Sequence, residues 1–132
     1  MIRQPGTASP LAGAEVLVVE DDAIIALDLK QALEELGCVV LGPAATVGEA
    51  LLLLDRVRPR AVLLDLGLGG ELATPVADAL TAAAVPFLLV TGYGDRDLNE
   101  PAVRGAPRLA KPFGVEALEA ALLDLLAGGN KG

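Results

Sequence analysis

The sequence contains no histidine, no tryptophan and a single cysteine among its 132 residues. The absence of histidine excludes the common zinc sites and the catalytic triads and general bases that depend on an imidazole. Cys38 cannot form an intramolecular disulfide, and its place in the run Cys38-Val39-Val40-Leu41 predicts a small buried side chain. A reactive thiol is the weaker interpretation, because no neighbouring cation would lower its pKa.

Basic residues are also scarce. Ten Lys and Arg stand against eighteen Asp and Glu, which gives a formal net charge of −8. Proteins that bind nucleic acids need a basic face, and the basic residues here are scattered, so direct binding of DNA or RNA is not expected. No run approaches the ~18 apolar residues of a membrane span. The first 14 residues lack the apolar stretch of a signal peptide. These absences predict a cytoplasmic protein without membrane insertion.

More than half of the residues are apolar, and nearly all of these are Ala, Val and Leu. Short apolar runs alternate strictly with segments of helical periodicity, and the length of the chain indicates one domain. This alternation predicts an α/β fold, a doubly wound parallel sheet of five strands with five helices. The predicted strands are 15–19, 38–41, 61–64, 87–90 and 108–110, and the last two helices fall within 95–107 and 115–126.

The chain divides into a predicted domain at 14–127 and two tails. Residues 1–13 hold Pro, Gly, Ser and Thr without periodicity, which predicts a flexible N-terminal tail, and 128–132 form a short C-terminal tail. The segment 95–107 holds two prolines and a glycine, so the fourth helix is predicted to be short or mobile. The starting methionine and short polar tail favour a single-domain protein over a fragment of a longer one.

Polar side chains stand at four predicted strand ends. The carboxyl ends of parallel strands meet at one edge of a sheet, where open α/β sheets place their sites. These residues are Glu20, Asp21 and Asp22 after the first strand, Asp65 after the third, Thr91 after the fourth and Lys111 after the fifth.

The acidic residues among them predict a cation site. Asp22 is explained as a helix cap, but Glu20 and Asp21 precede the helix and would repel each other without a cation. Oxygen ligands without histidine or a nearby cysteine favour Mg²⁺ over zinc or copper. Asp65 ends an apolar strand and could be a metal ligand, a nucleophile that forms an aspartyl phosphate, or simply a solvated turn residue.

Lys111 and Thr91 could supply the positive charge and the hydroxyl that a phosphoryl group needs. A lone lysine is more often a solvated surface charge, and Thr91-Gly92 also fits an ordinary turn. Lys111 differs from an ordinary surface lysine because it precedes Pro112, and the Lys111–Pro112 bond is a candidate cis peptide.

Four short motifs include these residues in a fixed order along the chain. They are Val18-Val19-Glu20-Asp21-Asp22, Leu63-Leu64-Asp65, Val90-Thr91-Gly92 and Lys111-Pro112-Phe113. Their order and spacing resemble the receiver domain of two-component response regulators, over about residues 15–126. The resemblance implies a flavodoxin-like fold with strand order 2-1-3-4-5.

The resemblance also implies a role for each polar residue. Asp65 would be the phosphoacceptor, with Thr91 and Lys111 in contact with the phosphoryl oxygens. The implied Mg²⁺ ligands, with Mn²⁺ as a substitute ion, are Glu20, Asp21, Asp65 and the backbone carbonyl of Gly67. The donor would be a phosphohistidine on a sensor histidine kinase or a histidine phosphotransfer protein, and a downstream protein would respond.

A finer resemblance concerns the fourth strand and its loop. The run from Pro86 to Gly94 is similar to the receiver subfamily named for a Phe-Ala-Thr-Gly-X-Tyr motif, with Leu-Val in place of Phe-Ala. Many receivers have a rotating aromatic residue three positions before the lysine, where this chain has Arg108. Tyr93 is therefore predicted to be the aromatic switch residue instead.

Two other functions compete with a phosphoacceptor. A pseudo-receiver would act as an interaction module without phosphorylation. A phosphatase of the haloacid-dehalogenase type also uses an Asp nucleophile and Mg²⁺, but it needs a second Asp two residues later, where this chain has Gly67. We therefore expect no enzyme activity beyond assistance with the protein's own phosphorylation and dephosphorylation.

Overall fold

The main sheet is parallel and has five strands. The computed structural model describes residues 10–68, 71–92 and 101–128. The sheet strands are β1 (Glu15–Val19), β2 (Val39–Ala44), β3 (Ala61–Asp65), β6 (Phe87–Thr91) and β7 (Arg108–Ala110), and a short antiparallel ribbon is formed by β4 (Gly67–Leu68) and β5 (Glu71–Leu72). The order across the sheet is β2-β1-β3-β6-β7. This is the predicted order 2-1-3-4-5 when the five strands are numbered along the chain.

Helices cover both faces of the sheet, as a doubly wound fold requires. They are α1 (Ala23–Glu35), α2 (Val47–Arg56), α3 (Thr74–Ala82) and α4 (Val115–Gly128). Alternate residues of β3 enter opposite cores. Val62 and Leu64 lie in the first apolar cluster, and Ala61 and Leu63 lie in the second. Successive strand residues point to opposite faces, so a strand covered on both sides is apolar throughout.

The starts of α1 and α2 follow the predicted caps. The Asp22 carboxylate accepts from the N–H groups of Ile24 and Ile25 at 2.9 and 3.1 Å. The Thr46 hydroxyl accepts from the Glu49 N–H at 3.0 Å, and the Glu49 side chain accepts from the N–H of Ala45 at 2.8 Å. In a standard capping box the glutamate accepts from the cap residue itself, so this pair is shifted by one residue.

The second strand runs further along the chain than the sequence predicts. β2 continues through Gly42-Pro43 to Ala44, and its register with β1 shifts between Leu17 and Val19. Gly42 has φ +87°, and a Cβ there would lie 2.9 Å from the Ala44 nitrogen, so glycine lets the strand bend where a stop was predicted.

The predicted fourth helix at 95–107 has no helical counterpart among the described residues. Residues 101–105 form turns, and Val103 is fully buried in the first cluster. Residues 95–100 lie outside the described part of the chain. Within the described ranges, none of the four helices has the length and apolar composition that a membrane crossing needs.

The N-terminal segment packs on the domain before residue 14. Leu11 is fully buried in the second cluster, with Leu33, Leu118 and Leu122. The N–H of Gly13 donates to the carbonyl of Gly37 at 2.8 Å. The predicted domain start at residue 14 therefore leaves out a core residue, while the predicted flexibility of 1–9 lies outside the described residues.

Replacing Leu11 with alanine is expected to cost about 2–4 kcal/mol of unfolding free energy, because it leaves a cavity among buried leucines. Chemical denaturation measures this cost. Leu52→Ala is the matched control, since the Leu52 side chain is 57% exposed, and should change stability by less than about 1 kcal/mol. An equally small loss for Leu11→Ala would show that this segment does not belong to the folded core.

Candidate functional site

The predicted polar residues lie together at one edge of the sheet. In the register of the strands, Val19 lies beside Leu64, so Glu20 follows β1 next to Asp65 at the end of β3. Asp65 in turn pairs with Val90, and Thr91 pairs with Ala110, the residue before Lys111. The carboxyl ends of four adjacent strands therefore build one site.

Three carboxylates converge there. One oxygen from each of Glu20, Asp21 and Asp65 lies within 4.8 Å of the other two. Glu20 is almost completely buried, Asp65 is half-buried and Asp21 is exposed, so the cluster has one side open to solvent. A set of carboxylate oxygens without nitrogen or sulfur suits a hard cation such as Mg²⁺. The residues present thus fit the predicted cation.

Both oxygens of the buried Glu20 carboxylate have donors. Lys111 Nζ lies 3.2 Å from Oε1 and forms a salt bridge with it, and the backbone N–H of Asp22 donates to Oε2 at 3.2 Å. A charge this deeply buried is stable only with such partners. The pairing also places the Lys111 ammonium group at the carboxylate cluster.

Among the described carboxyl groups, Asp65 has the pKa that its surroundings shift most. Burial, followed by the hydrogen bond and the negative charge of Glu20, raises the pKa of Asp65 to about 7, against an ordinary 3.8. The Lys111 charge and the Gly67 N–H, which donates to Oδ1 at 3.4 Å, act in the opposite direction. Burial and the neighbouring negative charge both disfavour the ionised carboxylate, which explains the direction of the pKa shift.

Thr91 and Lys111 are joined through the backbone at the ends of β6 and β7. Thr91 is 6% exposed, and its carbonyl accepts from the Lys111 N–H at 2.8 Å. The Lys111–Pro112 peptide is cis, as predicted. Arg108 is exposed, and its Nε and Nη2 donate to the Ala106 carbonyl at 3.4 Å each. The predicted switch residue Tyr93 lies outside the described residues.

Comparison with known proteins identifies the family to which the chain belongs. Residues 16–123 match the response regulator receiver domain. The chain belongs to this family. The phyllosphere-induced regulator PhyR of Methylorubrum extorquens is 36% identical over 102 residues, which are 75% of this chain and 38% of PhyR. The receiver domain thus spans less than half the length of that regulator.

Solved structures of receiver domains are similar in shape. SdrG from Sphingomonas melonis Fr1 has a TM-score of 0.77 and 39% identity, and the match covers 86% of this chain and 97% of SdrG. The receiver domain of sensor histidine kinase PA1611 from Pseudomonas aeruginosa has a TM-score of 0.77 and 25% identity, over 89% of this chain and 100% of that one. The PA1611 structure contains a magnesium ion coordinated in its active-site cleft. Receiver domains bind Mg²⁺ at an acidic site, which agrees with the carboxylate cluster here.

The segment that follows Asp65 contains the β4–β5 ribbon, although its glycines indicated an irregular turn. In this receiver domain Leu66 and Leu68 are buried, and the Ala73 N–H donates to the Leu66 carbonyl at 2.7 Å. The two buried leucines hold the loop against the core, and Gly67 between them remains exposed beside the site. The alternation Leu66-Gly67-Leu68 indicates β4, the first strand of the β4–β5 ribbon, because inward and outward positions alternate along a strand.

Mg²⁺ is expected to raise the melting temperature of this receiver domain. An ion that binds only the folded state stabilises it by about 2.7 kcal/mol at 100 times its Kd, because it relieves the repulsion within the cluster. Thermal unfolding with and without millimolar MgCl₂ measures the rise. Asp21→Ala should lose most of it, and Asp28→Ala, an exposed change on α1, should keep it. An undiminished rise in Asp21→Ala would remove Asp21 from the site.

Proposed function

We propose that this protein is a cytoplasmic phosphoacceptor of a two-component system. Asp65 takes a phosphoryl group from a phosphohistidine on a sensor histidine kinase or a histidine phosphotransfer protein, and the phosphorylated form changes its contacts with a downstream protein. The observation that supports this most strongly is the convergence of Glu20, Asp21 and Asp65 within 4.8 Å beside Lys111. Family membership supports the same role.

In the proposed reaction, an oxygen of the Asp65 carboxylate attacks the phosphorus atom of the donor. The P–O bond to Asp65 forms while the P–N bond breaks, and the electron pair of that bond stays on the donor's imidazole, which is then free to take up a proton from solvent. β3 is buried on both faces and pairs with strands on both sides, so Asp65 is held on a rigid element. Fixed orientation of this kind lowers the entropic barrier to attack.

The other site residues would bind and neutralise the phosphoryl group. The Lys111 ammonium group offsets negative charge on the phosphoryl oxygens, and the Thr91 hydroxyl donates a hydrogen bond to one of them. Mg²⁺, held by Glu20, Asp21, Asp65 and the Gly67 carbonyl, would supply the remaining positive charge, and Mn²⁺ would substitute for it. The salt bridge with Glu20 at 3.2 Å holds the Lys111 ammonium group beside the carboxylate cluster that includes Asp65.

The switch that follows is proposed to start at the ends of β6 and β7. Thr91 and Lys111 would be drawn toward the new phosphoryl group, and Tyr93, two residues after Thr91, would report the movement. Arg108 has no aromatic ring to bury and rests on the Ala106 carbonyl, so its rotamer would change little. Charge added at one residue commonly acts by reordering a neighbouring segment.

Two alternative functions give different results with the same reagents. Incubation with MgCl₂ and acetyl phosphate, followed by intact mass and a phosphate-release assay, separates them. A phosphoacceptor gains one acid-stable, base-labile phosphoryl group for each chain. A pseudo-receiver gains none, and a phosphatase releases many equivalents of phosphate without stable modification. A protein that gains no phosphoryl group would overturn our proposal. Repeated release of phosphate would identify an enzyme despite the lack of a general acid at Gly67.

A further inference from the structure

Asp22 has two structural connections at the start of α1. Its carboxylate accepts from the N–H groups of Ile24 and Ile25, and its own backbone N–H donates to Oε2 of Glu20. The sequence explained Asp22 fully as a helix cap. The structure shows that the same residue also contacts the most deeply buried carboxylate of the site.

These two connections are linked through the backbone. The Asp22 backbone is extended, with φ −82° and ψ 115°. This conformation is fixed because the side chain accepts two of the N–H groups that every helix start leaves without intrahelical partners. Fixing the cap also fixes the direction of the Asp22 N–H, which points toward Glu20. Without the cap, Asp22 would keep its carbonyl bond from the Ala26 N–H at 2.9 Å but lose both side-chain bonds to the first turn of α1.

The Glu20 carboxylate has three partners: the Asp22 N–H, the Lys111 ammonium group and the Asp65 side chain. Lys111 holds the second oxygen through a flexible side chain that is 22% exposed, whereas the Asp22 N–H belongs to the backbone. The Glu20 backbone is itself held, since its N–H donates to the Ala44 carbonyl at 2.9 Å. The Asp22 N–H is thus the backbone donor that restrains the Glu20 carboxylate, at a residue whose own backbone is held by its cap.

We propose that Asp22 is a positioning residue for the cation site: its cap holds the backbone that orients Glu20, although Asp22 itself is not a ligand. The proposal rests on the proposed function, because it assigns Glu20 a part in binding Mg²⁺. Residues that hold metal ligands in place commonly change affinity by about 10–100-fold when they are replaced. The side chain of Asp22 acts here through its capping geometry and not through its charge.

The test is the Mg²⁺ affinity, measured by isothermal titration calorimetry, of three variants and the wild-type protein. Asp22→Ala removes the cap and should weaken binding about tenfold. Asp22→Asn keeps a capping oxygen without the charge and should bind within about twofold of the wild type, since Asn caps helices as well as Asp. Gln31→Gly weakens α1 at an exposed position, leaves the cap in place and should leave the affinity unchanged.

Three other patterns of Mg²⁺ affinity among these variants would overturn the proposal. Equal weakening in Asp22→Ala and Asp22→Asn would show that charge acts rather than the cap. Equal weakening in Gln31→Gly would show a general loss of helix stability. No weakening in Asp22→Ala would show that the cap does not orient Glu20.

A second measurement separates this proposal from the proposed function. In the metal-free protein, the NMR shifts of the Lys111 side chain report its salt bridge with Glu20. They should change in Asp22→Ala and remain unchanged in Asp22→Asn, whether or not Mg²⁺ binds the wild type. A wild type that fails to bind Mg²⁺ would overturn the metal role of the site, and unchanged Lys111 shifts in Asp22→Ala would overturn the positioning role.

Discussion

Replacing Asp65 with asparagine is expected to abolish phosphorylation of the protein by acetyl phosphate and Mg²⁺. The amide has nearly the same shape as the carboxylate, but its oxygen is a poor nucleophile and its nitrogen carries no lone pair available for attack. Because the reaction needs a covalent bond at this position, the expected effect is complete loss rather than slowing. Intact mass after incubation, with peptide mapping of the wild-type product, measures it.

The control is Asp78→Asn, which makes the same chemical change at an exposed position on α3 and should be phosphorylated as the wild type is. Lys111→Met gives a graded result: it retains the nucleophile and loses the charge, so phosphorylation should slow by a factor typical of one electrostatic contact, about 10²–10³. A phosphoryl group that forms on Asp65→Asn at the wild-type level, and maps to Asp21 or another residue, would show that the nucleophile has been assigned wrongly.

Much of the fold could be predicted because its signals are local. The run Ala61-Val62-Leu63-Leu64 specifies a strand buried on both faces, and the cap residues Asp22 and Thr46 mark where two helices begin. Strict alternation of strands and helices then leaves few topologies. The pattern of polar strand ends followed from this topology, so Glu20, Asp65 and Lys111 could be placed at one edge before any distance was known.

The features that could not be predicted depend on contacts between distant parts of the chain. Leu11 stands in a segment that resembles a loose tail, and only the packing of α1 and α4 creates the space that buries it. Gly42-Pro43 resembles a strand stop, yet pairing with β1 carries the chain on to Ala44. Short-range patterns do not contain these contacts.

The same limit applies to the chemistry of the site. The sequence supplied the residue types, but Glu20 and Lys111 are 91 positions apart, and their salt bridge depends on the order of strands in the sheet. The raised pKa of Asp65 depends on burial and on the distance to Glu20, neither of which is written in the neighbouring residues. Proximity at the sheet edge was predictable, whereas the pairing of charges within it was not.

The burial of Asp65 and its crowding by Glu20 lead to a second prediction: in the absence of a divalent cation, Asp65→Asn should be more stable than the wild-type protein at neutral pH. The folded pKa of about 7 lies above the ordinary 3.8, so between these values the native state holds a proton that the unfolded chain has released. The contribution of Asp65 to stability therefore falls as pH rises from about 4 to about 7 and stays unfavourable above that range.

The size of this effect follows from the same shift. One pKa unit corresponds to about 1.4 kcal/mol, but solvent screens a half-buried carboxylate, so we expect a gain of only about 1–2 kcal/mol from the substitution. For a chain of this length, that gain raises the melting temperature by about 3–8 °C. Thermal unfolding in EDTA measures it at pH 7.5 and again at pH 4, where the difference between the two proteins should shrink toward zero.

Added Mg²⁺ should reverse the order of stability. In the proposed site the ion would stabilise the wild type through three carboxylates, whereas Asp65→Asn retains only Glu20 and Asp21, so the wild type should gain more and become the more stable protein at saturating Mg²⁺. Asp78→Asn should follow the wild type under every condition. If Asp65→Asn is less stable than the wild type in EDTA at pH 7.5, the Asp65 carboxylate is a favourable structural contact, and the account of a charge cluster strained without its cation is wrong.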